Sequence, residues 1–116
     1  MVDENISQDV AFRLLSHAYR RALLECLDRR DDPVSLADAA KEVARACKGK
    51  PAPDVSDGEI ERIRLSLHHS HVPRLAARDA VAYDRDRTLI TLTERGERVI
   101  AVHDRVGAAE PLEATE

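Results

Sequence analysis

The chain has 116 residues and 12.9 kDa, with 34% charged residues and a formal net charge of −4. That length fits one domain burying roughly two thirds of its unfolded surface, and no apolar run approaches the ~18 residues of a membrane-spanning helix. The core must be aliphatic, because 17 Ala stand against one Phe, two Tyr and no Trp.

In chain order, Met1-Val2-Asp3-Glu4-Asn5 is acidic and lacks an apolar stretch. Residues 1–5 read as a flexible N-terminus rather than a secretory signal, and a cytoplasmic location is expected. Residues 6–106 read as the folded domain. Residues 6–15 form a short helix with Val10, Ala11, Leu14 and Leu15 on one side. Ser16 is placed to cap a second helix over 17–29. Its core positions are Tyr19, Ala22, Leu23, Cys26 and Leu27, with Arg20, Arg21 and Glu25 largely elsewhere. Asp31-Asp32-Pro33 breaks it. Val34 opens a strand of one or two residues. Ser35 caps a helix over 36–47, with Leu36, Ala40, Val43, Ala44 and Cys47 as its buried stripe.

Residues 48–54 are a loop rich in Gly and Pro. Ser56 and Glu59 form a capping box that opens a long helix over 57–78. Pro73 predicts a kink or break near His69–Pro73. Val81–Tyr83 and Thr88–Leu92 are short β-like runs around the polar turn Asp84–Arg87, which makes a hairpin. Thr93 caps a last helix over 94–105, with Val99, Val102 and Val106 in register.

Charge is unevenly placed. Residues 107–116 carry three Glu and no base, so three of the four excess negative charges belong to a tail that reads as disordered. The folded part is nearly neutral, which is compatible with a nucleic-acid partner. Cys26 and Cys47 sit in helix-like segments without a short-spaced pair. They read as buried free thiols rather than a disulfide or zinc site. Basic residues comprise 15 Arg but only three Lys, and 12 Asp exceed 10 Glu. This bias matches proteins of salt-loving archaea, although GC-rich coding gives the same Arg and Ala excess.

The element order is helix, helix, short strand, helix, helix, hairpin, helix. It implies a mainly α fold with a small β-hairpin: a winged helix-turn-helix domain with N- and C-terminal flanking helices. The segment His71–Val81 resembles the end of the recognition helix in ArsR/MarR-type regulators. His71, Leu75 and Val81 match that pattern, Val72 and Ala80 are smaller versions of its Leu positions, and Asp79 replaces its helix-ending Gly. Leu14–Leu24 is similar to the first helix of those regulators, and Leu92-Thr93-Glu94-Arg95-Gly96 to a turn in them. The whole chain is similar to a haloarchaeal winged-helix group of uncharacterised type, through Val34-Ser35-Leu36, the 48–53 insertion and Leu67–Leu75. The resemblance implies a DNA-binding transcriptional regulator and supplies no ligand.

On a helical wheel, Ile60, Ile63, Leu67, His71 and Leu75 share the core face of the long helix. Arg62, Ser66, His69 and Ser70 fall opposite, where major-groove contacts would be made. A plain solvated face has the same pattern. Arg85 and Arg87 mark a hairpin tip able to touch a DNA backbone, or merely a soluble turn. Lys48 and Lys50 offer phosphate contacts from a flexible loop, or belong to a simple linker.

His68, His69 and His71 raise a metal site, but no Asp, Glu or Cys stands near them in sequence, so none is expected. No phosphate loop, nucleophile elbow or catalytic pair is present, and neither an enzyme nor a cofactor is expected. A homodimer on duplex DNA is expected, through Ile6, Val10 and Leu14 or through Val99, Val102 and Val106. The alternative is a winged-helix protein-interaction module without DNA contact.

Overall fold

A computed structural model describes residues 8–51, 54–102 and 104. The expected flexible 1–5, the acidic tail 107–116, Ile6, His103 and Val106 lie outside the described residues.

Helix α1 spans Gln8–Leu14 and α2 spans Ala18–Asp28. The cap between them falls one residue later than predicted. His17 Nδ1 accepts the Tyr19 N–H at 3.1 Å. Ser16 instead donates its hydroxyl to the Arg13 carbonyl at 2.8 Å. The last carbonyls of a short helix need donors from elsewhere, and two arginines supply them. Arg20 Nε donates to Leu14 O at 2.6 Å and Nη2 to Arg13 O at 3.1 Å. Arg21 Nη1 donates to Leu15 O at 2.7 Å. Arg20, expected off the core face, is therefore only 8% exposed. A helix C-terminus favours such cations.

Strand β1 is Val34–Ser35, and α3 spans Leu36–Lys48. Ser35 Oγ accepts the Asp38 N–H at 3.1 Å, the predicted cap. Gly49 ends the helix at φ 72°, a left-handed conformation that suits glycine. Leu36, Ala39, Ala40, Val43 and Ala44 are buried. Cys47, expected in that stripe, is exposed, whereas Cys26 is buried. Cys47 keeps the correct helical phase but lies in the last turn, beyond the core layer.

Next comes α4, Asp57–Ser66, opened by Ser56 Oγ accepting the Glu59 N–H at 3.1 Å. Buried Val55 and half-buried Ile60 occupy the two positions of a hydrophobic staple. A π-helical turn, Leu67–His71, leads directly into α5, Val72–Ala77. The Val72 N–H reaches back five residues to Leu67 O. The expected kink or break near His69–Pro73 takes the form of this widened turn, and the chain stays helical through Pro73. Proline lacks the N–H that would bond residue 69, and its ring crowds that carbonyl. One widened turn relieves both constraints and keeps the rod continuous.

The rod ends at Asp79 with φ 62°. The Ala80 N–H bonds Leu75 O at 2.9 Å and the Asp79 N–H bonds Ala76 O at 2.9 Å. That pair of bonds is a Schellman cap normally closed by glycine. Asp79→Gly is expected to raise stability by up to about 1 kcal/mol, read as a higher urea midpoint with unchanged slope. A lower midpoint would show that the Asp79 side chain contributes to the native state.

Strands β2 (Val81–Asp84) and β3 (Leu89–Leu92) form the predicted hairpin. β3 also pairs with β1, giving a three-stranded antiparallel sheet in the order β1-β3-β2. Ile90 sits opposite both Tyr83 and Val34. A final helix, α6, runs over 94–102. Its Thr93 cap accepts the Gly96 N–H at 3.0 Å. The fold is thus mainly helical with one small antiparallel sheet.

A single aliphatic cluster joins all of these elements. Leu14, Val99 and Val102 are buried in it. They are therefore spent within one chain and supply no dimer surface, contrary to expectation. Among the described residues no helix is long and apolar enough to cross a membrane.

Candidate nucleic-acid interface

The rod from Asp57 to Ala77 sets the site. Ile63, Leu67, His71, Val72 and Leu75 are buried, and Ile60 packs partly against them. The step from Leu67 to Val72 is five residues because the π turn inserts one. At about 100° per residue, that insertion shifts everything downstream by roughly one position. A wheel without it still places His71 and Leu75 on the core face, where both are buried, but misses Val72.

Away from the core, the rod presents three sides. Leu65 and His69 form the outermost crest, both exposed. Arg64 and His68 lie toward the hairpin. Arg62, Ser66 and Ser70 lie toward α2, with Arg62 exposed and the two serines half-buried. The four predicted contacts are thus not covered, but His69 faces a different side from the other three. Leu65 is 40% exposed and was missed by sequence reading. Its only signal is an apolar residue lying outside the core phase. Such a side chain suits a thymine methyl group.

Arg62 and Ser66 line a cavity of about 270 Å³ together with Tyr19, Lys48, Glu59 and Ile63. The fold therefore unites Lys48 with Arg62 and Ser66, although far apart in sequence. Lys48 is not in a flexible loop as expected. It ends α3 and pairs with Glu59 at 3.3 Å. Lys50 is exposed in the following loop, apart from this cluster. Arg64 pairs with Glu61 at 2.5 Å, which holds the Glu61 carboxyl below its usual range. Among the described residues Arg62, Arg85 and Arg87 have no ion pair.

The hairpin is fixed to the rod by one polar contact. Tyr83 Oη and His68 Nδ1 are 2.8 Å apart. Burial, then the nearby His69 and Arg85, lower the His68 pKa, which favours the neutral ring at this contact. Arg85 lies over the Tyr83 ring at 5.8 Å from its centroid. Asp84 does not simply offset the arginines: its Oδ1 accepts the Asp86 and Arg87 N–H groups at 3.1 and 3.2 Å. These bonds shape the turn that holds exposed Arg85 and Arg87. Tyr83 and His68, not singled out as site residues, are the positioning pair.

His71 belongs to the interior instead. It is 5% exposed, and its Nδ1 lies 3.0 Å from Arg20 Nη1. Its ring lies against His17, with centroids 4.2 Å apart and planes tilted by 48°. Burial, with neighbouring His17, Arg20 and Arg74, lowers its pKa to about 4. Neutral Nδ1 therefore accepts the arginine N–H. Among the described residues no three His, Cys, Asp or Glu side chains gather as a metal-binding group.

This is a small, mainly helical domain that offers one exposed helical crest beside an arginine-tipped hairpin. The chain belongs to the family described as a domain of unknown function, DUF7344, which matches residues 12–91. The match spans α1 to β3 and includes every predicted contact residue. No curated protein and no solved structure matches the chain.

Proposed function

We propose that the protein is a DNA-binding transcriptional regulator of the winged helix-turn-helix class. In this reading α3 and the rod form the helix-turn-helix, and β2–β3 is the wing. The observation that carries it is the Tyr83–His68 contact, which seats an arginine-tipped hairpin beside the exposed crest of the rod. Arg62, Leu65, Ser66, His69 and Ser70 would meet base edges, and Arg85 and Arg87 the backbone.

The sparse lysines and the acidic content suit a protein that works in concentrated salt within a haloarchaeal cytoplasm. With roughly five phosphate contacts, moving from about 0.15 M to about 3 M salt weakens binding by ~6 decades. Base-edge contacts and fit must then dominate. A homodimer on a palindromic site would double the interface. Exposed Phe12 on α1 is available for it, 45% exposed in one chain.

Selection from random duplex pools at several salt concentrations tests the reading. Enrichment of a common motif is expected. Arg62→Ala with His69→Ala should weaken that site by roughly 10- to 100-fold and relax its sequence preference. Arg85→Ala with Arg87→Ala should weaken all sequences alike and lower the salt slope by about 2. No enrichment at any salt by folded protein would overturn the proposal and favour a protein-interaction module.

A further inference from the structure

A second basic feature lies away from the crest, at the far end of the rod. Arg13 and Arg20 from the α1–α2 corner and Arg74 and Arg78 from the rod's end line one cleft of about 250 Å³. Among the described residues, apolar Val10, Leu14 and Ala77 also line it, and no carboxylate does. Among the described residues, none of these four arginines has an ion pair.

Four like charges in one cleft repel each other, and apolar walls strengthen the effect. Burial, then the charge of Arg74, lowers the Arg20 pKa. Arg20 is nonetheless held rigidly by Leu14 O, Arg13 O, Ser16 Oγ and His71 Nδ1. Those bonds engage four of its five N–H donors, leaving one on Nη1. Arg13, Arg74 and Arg78 are exposed.

We propose that this cleft is a binding site for a small phosphate-type oxyanion, held by Arg20, Arg74 and Arg78 with Arg13 closing over it. Guanidinium groups take such oxyanions in bidentate fashion. The volume falls below the ~300 Å³ lower range of drug-sized ligand pockets, which favours a compact anion over a nucleotide. The site is independent of the DNA reading, because it lies beyond the π turn from Arg62.

The test uses the full chain without DNA. Pyrophosphate and inorganic phosphate are titrated by calorimetry and by thermal unfolding, at constant ionic strength set with chloride. Saturable binding and a raised Tm are expected. Arg74→Ala with Arg78→Ala should weaken binding roughly tenfold or more while leaving unliganded Tm nearly unchanged. The Lys versions should recover only part of it, since charge remains but the planar fork does not. Equal response of wild type and the Ala variant, or no response beyond chloride, would overturn the proposal. So would loss of duplex affinity in the Ala variant without any small-anion binding, which would assign the cleft to DNA phosphates. Failure to bind duplex at all leaves this test standing.

Discussion

Lowering the pH from 7 to 4 is expected to remove up to about 3 kcal/mol of folding stability through His71 alone. The folded ring has a pKa of about 4, against an ordinary 6.5. Between those values the unfolded chain binds a proton that the folded chain refuses. Stability therefore falls as pH drops through that window and levels off below it. The cause is geometric: a protonated Nδ1 could no longer accept from Arg20 Nη1, and two cations would face each other inside the core. His17 lies against the same ring and its own pKa is lowered, first by burial, so it adds in the same direction. Glu42 and Glu61 are lowered by hydrogen bonds from Arg45 and Arg64, so they lose their contribution only at more acidic pH, below the usual carboxylate value. Urea midpoints at half-unit pH steps separate the two windows. His71→Gln keeps an acceptor for Arg20 and removes the titration, so its profile should be flatter from pH 6.5 to 4. Parallel profiles for both proteins would refute the assignment.

Gly96→Ala is expected to cost about 2–3 kcal/mol and lower Tm by roughly 10–20 °C. Gly96 lies in the first turn of α6 with no left-handed φ, so backbone freedom is not what it supplies. It supplies space. An added Cβ would overlap the Ala80 carbonyl oxygen and press on Leu92 Cδ1. That carbonyl already accepts the Thr93 N–H at 3.2 Å, so it cannot move aside without losing the link between the rod's end and α6. Gly58→Ala is the control. Nothing lies within 4 Å of its Cβ position, and α4 would gain helix propensity. Differential scanning calorimetry should show the two alanine variants moving Tm in opposite directions. A Gly96→Ala protein melting within a few degrees of wild type would contradict the packing described here.

The elements were legible because their boundaries are written in capping chemistry. Ser35, Ser56 and Thr93 each accept the N–H three residues on, as their spacing predicts. The alternation in Val81–Tyr83 and Leu89–Leu92 revealed the hairpin. Pairing of β1 with β3 was not legible, since two residues carry no period. The phase of α2 does not disclose the burial of Arg20, which depends on the orphan carbonyls of a neighbouring helix. Val99 and Val102 read from sequence as spare apolar surface, because a sequence does not disclose how much core the other elements leave open. At the candidate site, Arg62 and His69 were readable as outward positions. The Tyr83–His68 link, 15 residues apart, was not, because it arises from the turn at Asp79 that folds the hairpin back.

The widened turn at Leu67–His71 has one more effect. In ordinary α-helix, residues spaced by four advance by about 40° around the axis at each step; the extra residue cancels much of that advance. Arg62, Ser66, Ser70, Arg74 and Arg78 consequently fall into a nearly straight file along one flank. Closing this segment into ordinary α-helix with its residue count unchanged would act as a rotation. It would swing Arg74 and Arg78 by about 100° relative to Arg62 and carry them away from Arg13 and Arg20. Excising one residue along with the bulge would leave that angle and only shorten the rod, so the widened turn sets the angular gearing between its two ends.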